Sequence, residues 1–279
     1  VCYGELLVTT RRAELRNFPY VNVPRIRDVE ALLQNQKVSD TYFSRGSGEA
    51  TKELNHVEAT HRHWVSPMID LSEFPYCYYT HGVTDAIHHW ILTEDRKWQL
   101  PEGEYEYANM IGGKGTKVLD QPLYLSNPAA ANGNIIYSQP QSPVILDCTY
   151  VSSTAIKTIN VPKRTEQVFF SFSKGFGLIG QRLGLVYTKE PHPTLHRLKE
   201  YENWNYSGVR TMQLIMNNFS VDSMFTRYRK KQLDICKEYE LTPSDVFYLA
   251  TTKHRYYTRR RRAGDVARIC LTSLFEDMI

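Results

Sequence analysis

A lysine closes one apolar run of this chain and a glycine-rich loop follows it: Ser171-Phe172-Ser173-Lys174-Gly175-Phe176-Gly177-Leu178-Ile179-Gly180-Gln181-Arg182. At the end of a buried strand a lysine gives up its charge more readily, because leaving water penalises the ammonium and not the amine. The uncharged amine is the form that condenses with an aldehyde to a Schiff base. The glycines let backbone approach a bound group closely, and Arg182 brings a planar fork suited to phosphate. A second segment, Asp147-Cys148-Thr149-Tyr150, closes the apolar run at 142–150. A buried carboxylate at a strand's carboxyl end lies where open α/β sheets bind ligands. There Asp147 can hold a protonated pyridine nitrogen and keep the ring an electron sink. Tyr150 can offer its hydroxyl to a phenolic oxygen on the same ring.

Four further positions join these by residue type. Gly82-Val83-Thr84 stand at the turn into an apolar-faced helical segment, 81–95, with Thr84 a candidate cap. The first N–H groups of a helix lack internal partners and attract phosphate. Tyr105 is an aromatic able to stack on a ring. Asn127 follows an apolar run, and Arg268, in ARICLTSLF, is a cation able to grip a carboxylate with two hydrogen bonds.

Positioning these groups requires strands that end together. The short apolar runs at 74–80, 117–126, 142–150, 167–174 and 182–188 read as strands, with helical or loop segments between them. The loop 175–181 is too short for a parallel crossover, so its two flanking strands are expected to be antiparallel. The expectation is an α/β fold: a mostly parallel sheet with one antiparallel strand, flanked by helices, plus a small α/β C-terminal domain. The expected division is an N-terminal segment 1–50, a large domain 51–200 and a small domain 201–279. Helices are expected within 28–37, 51–65, 192–219 and 221–241, and two short strands around a basic loop near the end.

The 279 residues allow one large domain and a smaller one. A hydrophobic share of 42% with 23% charged residues is that of an ordinary globular protein, which argues against disorder. A net charge of +4 suits an anionic ligand and is too weak to argue for nucleic acid. The five cysteines are scattered with no CxxC pair, which points to a reducing, cytoplasmic setting and away from a disulfide framework or zinc site. No apolar run approaches a membrane span, and no signal peptide is expected at the start.

In order and content these segments resemble the fold-type I enzymes that use pyridoxal 5'-phosphate (PLP), most closely the class I/II aminotransferases related to aspartate and histidinol-phosphate aminotransferase. SFSKGFGLIGQRLG is similar to that family's Schiff-base lysine signature. The resemblance implies that Lys174 carries the cofactor, with Ser171 and Arg182 on its phosphate. It assigns Asp147 to the pyridine nitrogen and Tyr150 to the phenolic oxygen. Gly82, Val83 and Thr84 become the phosphate turn, and Tyr105 the ring-stacking aromatic. Asn127 becomes a second contact to the phenolic oxygen, and Arg268 the partner of the substrate's α-carboxylate. A homodimer with active sites at the subunit boundary is implied as well. The familiar Asn-Pro-Thr-Gly stands here as Asn127-Pro128-Ala129-Ala130, and the span from Asn127 to Asp147 is short for a crossover helix. Transamination of an amino acid or related amine is the first expectation. Decarboxylation, elimination or cyclisation on the same fold remain open.

Other motifs compete with this reading. The pairs His61/His63 and His88/His89 lack i, i+4 spacing and an HExxH frame, so no metal is expected. Arg259-Arg260-Arg261-Arg262 beside Tyr256 and Tyr257 can serve nucleic acid in a non-catalytic regulator. A plain basic loop, or a mouth that attracts an anionic substrate, is the favoured alternative.

Overall fold

The computed structural model describes residues 25–35, 49–111, 116–254 and 261–275, without the side chains of Glu49, Arg261 and Arg262. Tyr256, Tyr257, Arg259 and Arg260 of the basic loop therefore lie outside the described residues, as do the side chains of the other two arginines.

Five strands form the main sheet: β1 (Tyr76–Thr80), β2 (Leu123–Ser126), β3 (Val144–Asp147), β4 (Thr165–Ser171) and β5 (Gly184–Thr188), in the order β1-β5-β4-β3-β2. The pairs β2–β3 and β3–β4 are parallel, while β5 runs antiparallel to both β4 and β1. The sheet is thus mostly parallel with one reversed strand, β5, as expected; the connection before it, 172–183, is longer than the seven residues read from the sequence and carries no crossover helix beyond a single 3-10 turn.

Side chains alternate across this sheet with the period of two that strands impose. Tyr78, Tyr124, Ile145, Phe169 and Val186 pack on one face against α3 (Val83–Thr93), through Ala86, Ile87 and Trp90. Cys77, Leu125, Leu146, Phe170 and Leu185 enter the core on the other face, with α2 (Glu49–Val65). The continuous run Val144-Ile145-Leu146 is wholly buried because β3 is covered on both faces. Each such side chain contributes about 1.5–3 kcal/mol. The remaining helices are α1 (Arg27–Gln34), the single turn α4 (Tyr107–Met110), α5 (Pro193–Glu200), α6 (Tyr206–Asn218) and α7 (Ser223–Glu238). An antiparallel second sheet, in the order β6-β7-β9-β8, combines β6 (Thr242–Pro243), β7 (Leu249–Thr252), β8 (Arg261–Ala263) and β9 (Val266–Cys270).

Two connections bear on the site. At the turn from β1 into α3, Gly82 is the capping residue, and Thr84 lies inside the helix. The expected Thr84 cap is corrected: Asp85 ties the turn by accepting from the His81 N–H at 3.0 Å. Between β2 and β3, residues 127–143 cross over without a helix. This loop is held instead by the segment before β7, where Asp245 accepts from the Ile135 N–H at 2.9 Å and Val246 N–H donates to Gly133 at 3.1 Å. Among the described residues no helix is long and apolar enough to cross a membrane.

Candidate functional site

Parallel pairing brings strand ends together, and register decides which residues meet. Ser126 pairs with Asp147, and Gly184 faces both Ser171 and Thr80. The carboxyl ends of β1 to β4 therefore share one edge of the sheet, where a cavity of about 260 Å³ opens. Val83, Thr84, Tyr105, Asp147, Tyr150, Ser171, Lys174, Arg182 and Arg268 all line it. These positions are spread along most of the chain, and the fold collects them around one space.

Lys174 follows β4 and is half-buried at the cavity. Burial lowers the pKa of its amine, Arg268 pushes it the same way, and Cys270 and Asp147 work against the shift. Asp147 is 4% exposed at the end of β3. Its Oδ2 accepts from the Tyr124 hydroxyl at 2.6 Å, and its Oδ1 accepts from the Thr149 N–H at 2.8 Å and hydroxyl at 2.5 Å. Burial still raises the carboxyl's pKa despite these bonds and the nearby Lys174. A buried carboxylate in that state gains most from a cationic partner arriving with a ligand.

The phosphate-suited end is built by close approach. Gly82 has φ 79 and ψ 177, a region open to glycine alone. A Cβ there would lie 3.0 Å from Arg182 Nη2, so the guanidinium rests against the turn. Beside it the first N–H groups of α3 have no helical acceptor. Ser173 adds a hydroxyl that is buried, lines the cavity and has no hydrogen-bond partner.

Tyr105 is 40% exposed and stacks on Tyr107 with centroids 5.8 Å apart; the Tyr107 hydroxyl pairs with His88 Nε2 at 2.8 Å. Arg268 comes from β9 and donates through Nη1 to the Ala130 carbonyl, which ties the second sheet to the loop after β2.

Two candidates, Gly82 and Asn127, do not line the cavity: Gly82 adjoins it behind Arg182, and Asn127 turns away. Ser126 faces the cavity, and the next residue points the other way. The Asn127 amide is closed on Ile136, donating to its carbonyl at 3.0 Å and accepting from its N–H at 2.9 Å. Residue-type reasoning also passed over several groups. Tyr124 and Thr149 hold Asp147, and Ser173 stands beside the lysine in its own motif. Glu104, 4% exposed, accepts from the Ser126 N–H at 3.1 Å and its hydroxyl at 2.5 Å. Nothing in the run GEYEY marks that acid as buried.

The arrangement suits a ligand with an anionic group for the Gly82–Arg182 end, a basic ring atom for Asp147 and a carbonyl for Lys174. No protein-family model matches the sequence, and no curated protein matches it. Solved structures match it over nearly the whole chain. A PLP-bound C–S lyase from Staphylococcus hominis superposes with a TM-score of 0.66 at 11% identity, covering 95% of this chain and 90% of its own. An aromatic aminotransferase from Pyrococcus horikoshii gives 0.63 at 14% identity, covering 96% of each chain. The L-threonine-O-3-phosphate decarboxylase of Porphyromonas gingivalis gives 0.62 at 14% identity, over 91% of this chain and 97% of its own. The chain has the fold of these enzymes. At such identities the likeness is one of architecture, and it meets the expectation of a fold-type I sheet. Within that fold the cavity described above lies where the parallel strands end. Among the described residues no three His, Cys, Asp or Glu side chains gather as a metal site.

Proposed function

We propose that this chain is a PLP-dependent enzyme acting on an amino acid or related amine, with transamination as its first assignment. The observation that carries the reading is the convergence of Lys174, Asp147, Arg182 and Arg268 on one cavity at the strand ends. The residues fit the cofactor. The Gly82 turn and Arg182 form an anion cradle, Ser173 offers a hydroxyl with no partner of its own, and Asp147 is a buried carboxylate in want of a cation.

PLP, when bound, supplies an electron sink for the bond broken at the substrate's α-carbon. The chain's own residues do the rest. Ser171, Arg182 and the N–H groups of Val83 and Thr84 bind the phosphate, and Lys174 is the point of covalent attachment. Asp147 keeps a proton on the ring nitrogen, and Tyr150 donates to the phenolic oxygen. Tyr105 covers one face of the ring and keeps water from it. Arg268 orients the substrate carboxylate, with the small domain 201–279 as its carrier. Released to the cavity, the Lys174 amine takes the proton from the α-carbon and returns one; its lowered pKa supports the base form.

The same residues serve decarboxylation, elimination or cyclisation, and a lyase and a decarboxylase share the fold. Incubation of the PLP-loaded protein with a panel of amino acids separates these outcomes. A keto acid with stoichiometric pyridoxamine phosphate supports transamination. Carbon dioxide or ammonia without pyridoxamine phosphate would replace it. Tyr105 and Ile179 border the cavity at 40% and 50% exposure, and we assign that open side to a second copy of the chain. Sedimentation of a monomer at working concentration would remove that assignment. Among the described residues Cys77, Cys148, Cys236 and Cys270 are buried and in no disulfide, which supports a reducing, cytoplasmic setting.

A further inference from the structure

Arg182 stands in the left-handed backbone region, with φ 53 and ψ 61. Residues bearing a side chain keep that conformation only where their surroundings impose it. Here one contact does so. Tyr79, on β1, donates its hydroxyl to the Arg182 carbonyl at 3.1 Å. Tyr79 reaches Arg182 through the main chain and does not line the cavity, yet its placement is tightly built. Gly208 on α6 makes room for it, since a Cβ there would lie 2.7 Å from the Tyr79 hydroxyl.

The polarity of this contact is fixed by its partners. A carbonyl only accepts and a hydroxyl has a single hydrogen to give, so that hydrogen is directed at Arg182. Burial holds the phenol's pKa above its ordinary value, so the O–H persists as a donor. Asn205 caps α6, its Oδ1 accepting from the Gly208 N–H at 3.0 Å, which fixes the turn of helix against which Tyr79 is seated.

We propose that Tyr79, seated against Gly208, is a positioning residue that fixes Arg182 against the Gly82 turn and so makes the site prefer a phosphorylated ligand. The inference rests on the cofactor reading above. Its effect falls on the phosphate end alone, because Asp147 is held by Tyr124 and Thr149 and Lys174 follows a different strand.

The test titrates the full chain with PLP, with pyridoxal and with inorganic phosphate, in the wild type and Tyr79→Phe. The variant keeps the ring against Gly208 and loses the hydroxyl's hydrogen bond to Arg182. It is expected to weaken PLP and inorganic phosphate by about tenfold, the scale of one hydrogen bond, and to leave pyridoxal unchanged. Equal loss of PLP and pyridoxal, or wild-type affinity for PLP, would overturn the proposal. A wild type that binds neither aldehyde would sink the function proposed above and leave the phosphate titration to decide. There, weaker phosphate binding in Tyr79→Phe supports the positioning role, and wild-type affinity overturns it.

Discussion

Asp147 and Asn127 occupy neighbouring strand ends, at β3 and just past β2, and both are buried, at 4% and 2% exposure. Asp147 faces the cavity with its carboxylate fastened by Tyr124 and Thr149. Asn127 turns away and closes its amide on Ile136, eight residues short of β3 along the same loop. Strand register fixes the direction of the first. A local hydrogen-bond ring, in a crossover with no helix, fixes the second. Residue type and chain order therefore anticipate placement at the cavity for the residue at the strand end. One residue later the loop's own bonds decide where the side chain goes.

Four substitutions separate the two regions. Lys174→Ala removes the one lysine that lines the cavity among the described residues and is expected to cost turnover about 10⁴-fold, measured with the best substrate of the amino-acid panel. Retained turnover would place the chemistry elsewhere.

Asp147→Asn is expected to cost about 10²–10³-fold in turnover, the scale of a charge placed against a reacting group. In cofactor-free protein the same change is expected to stabilise. Burial raises the Asp147 pKa, so the folded state binds more protons than the unfolded one. Its contribution to stability therefore falls as pH rises from about 3.9, the unfolded value, through the folded pKa. Lys174, lowered by burial, contributes in the opposite sense: stability lost as pH falls below about 10.4 toward its folded pKa. Thermal melts of both cofactor-free forms at neutral pH check this. A melting point for Asp147→Asn below that of the wild type would contradict it.

Gly82→Ala places a side chain at φ 79, against Arg182. Strain of about 1–3 kcal/mol is expected, with PLP affinity reduced about tenfold. An alanine variant with wild-type PLP affinity would show that the turn does not hold the phosphate.

Asn127→Ala is expected to change turnover least. Loss of the two bonds to Ile136 costs about 1–3 kcal/mol of stability, read by denaturant melts. The pH dependence of the cofactor's absorbance should stay that of the wild type. A shift there would mean that Asn127 reaches the phenolic oxygen and that the strand-end rule above fails.

Much of the fold was legible because its signals are local. The apolar runs that became β3, β4 and β5 are short and bounded; the antiparallel pair expected from the loop 175–181 is present, although the full connection is 172–183. Lys174, Ser171 and Arg182 were legible together because they share one loop. What escaped depends on contacts between distant segments. Glu104 reads as one acid among several in GEYEY, and only the β2 edge buries it on Ser126. Tyr124 reads as a core tyrosine until register places it against Asp147. The Tyr79 contact to Arg182 joins residues 103 apart in the chain. The hydrogen bonds from Asp245 and Val246 that replace a crossover helix likewise join the loop after β2 to a segment more than 100 residues later.

The most direct test of the central claim is the visible absorption of the purified protein with PLP, before and after borohydride, followed by peptide mapping. The expected result is a yellow band that borohydride bleaches, with the cofactor's mass fixed on the peptide containing Lys174. A protein that stays colourless with added PLP, or a reduced adduct on a different lysine, would contradict the assignment of this cavity as a PLP site.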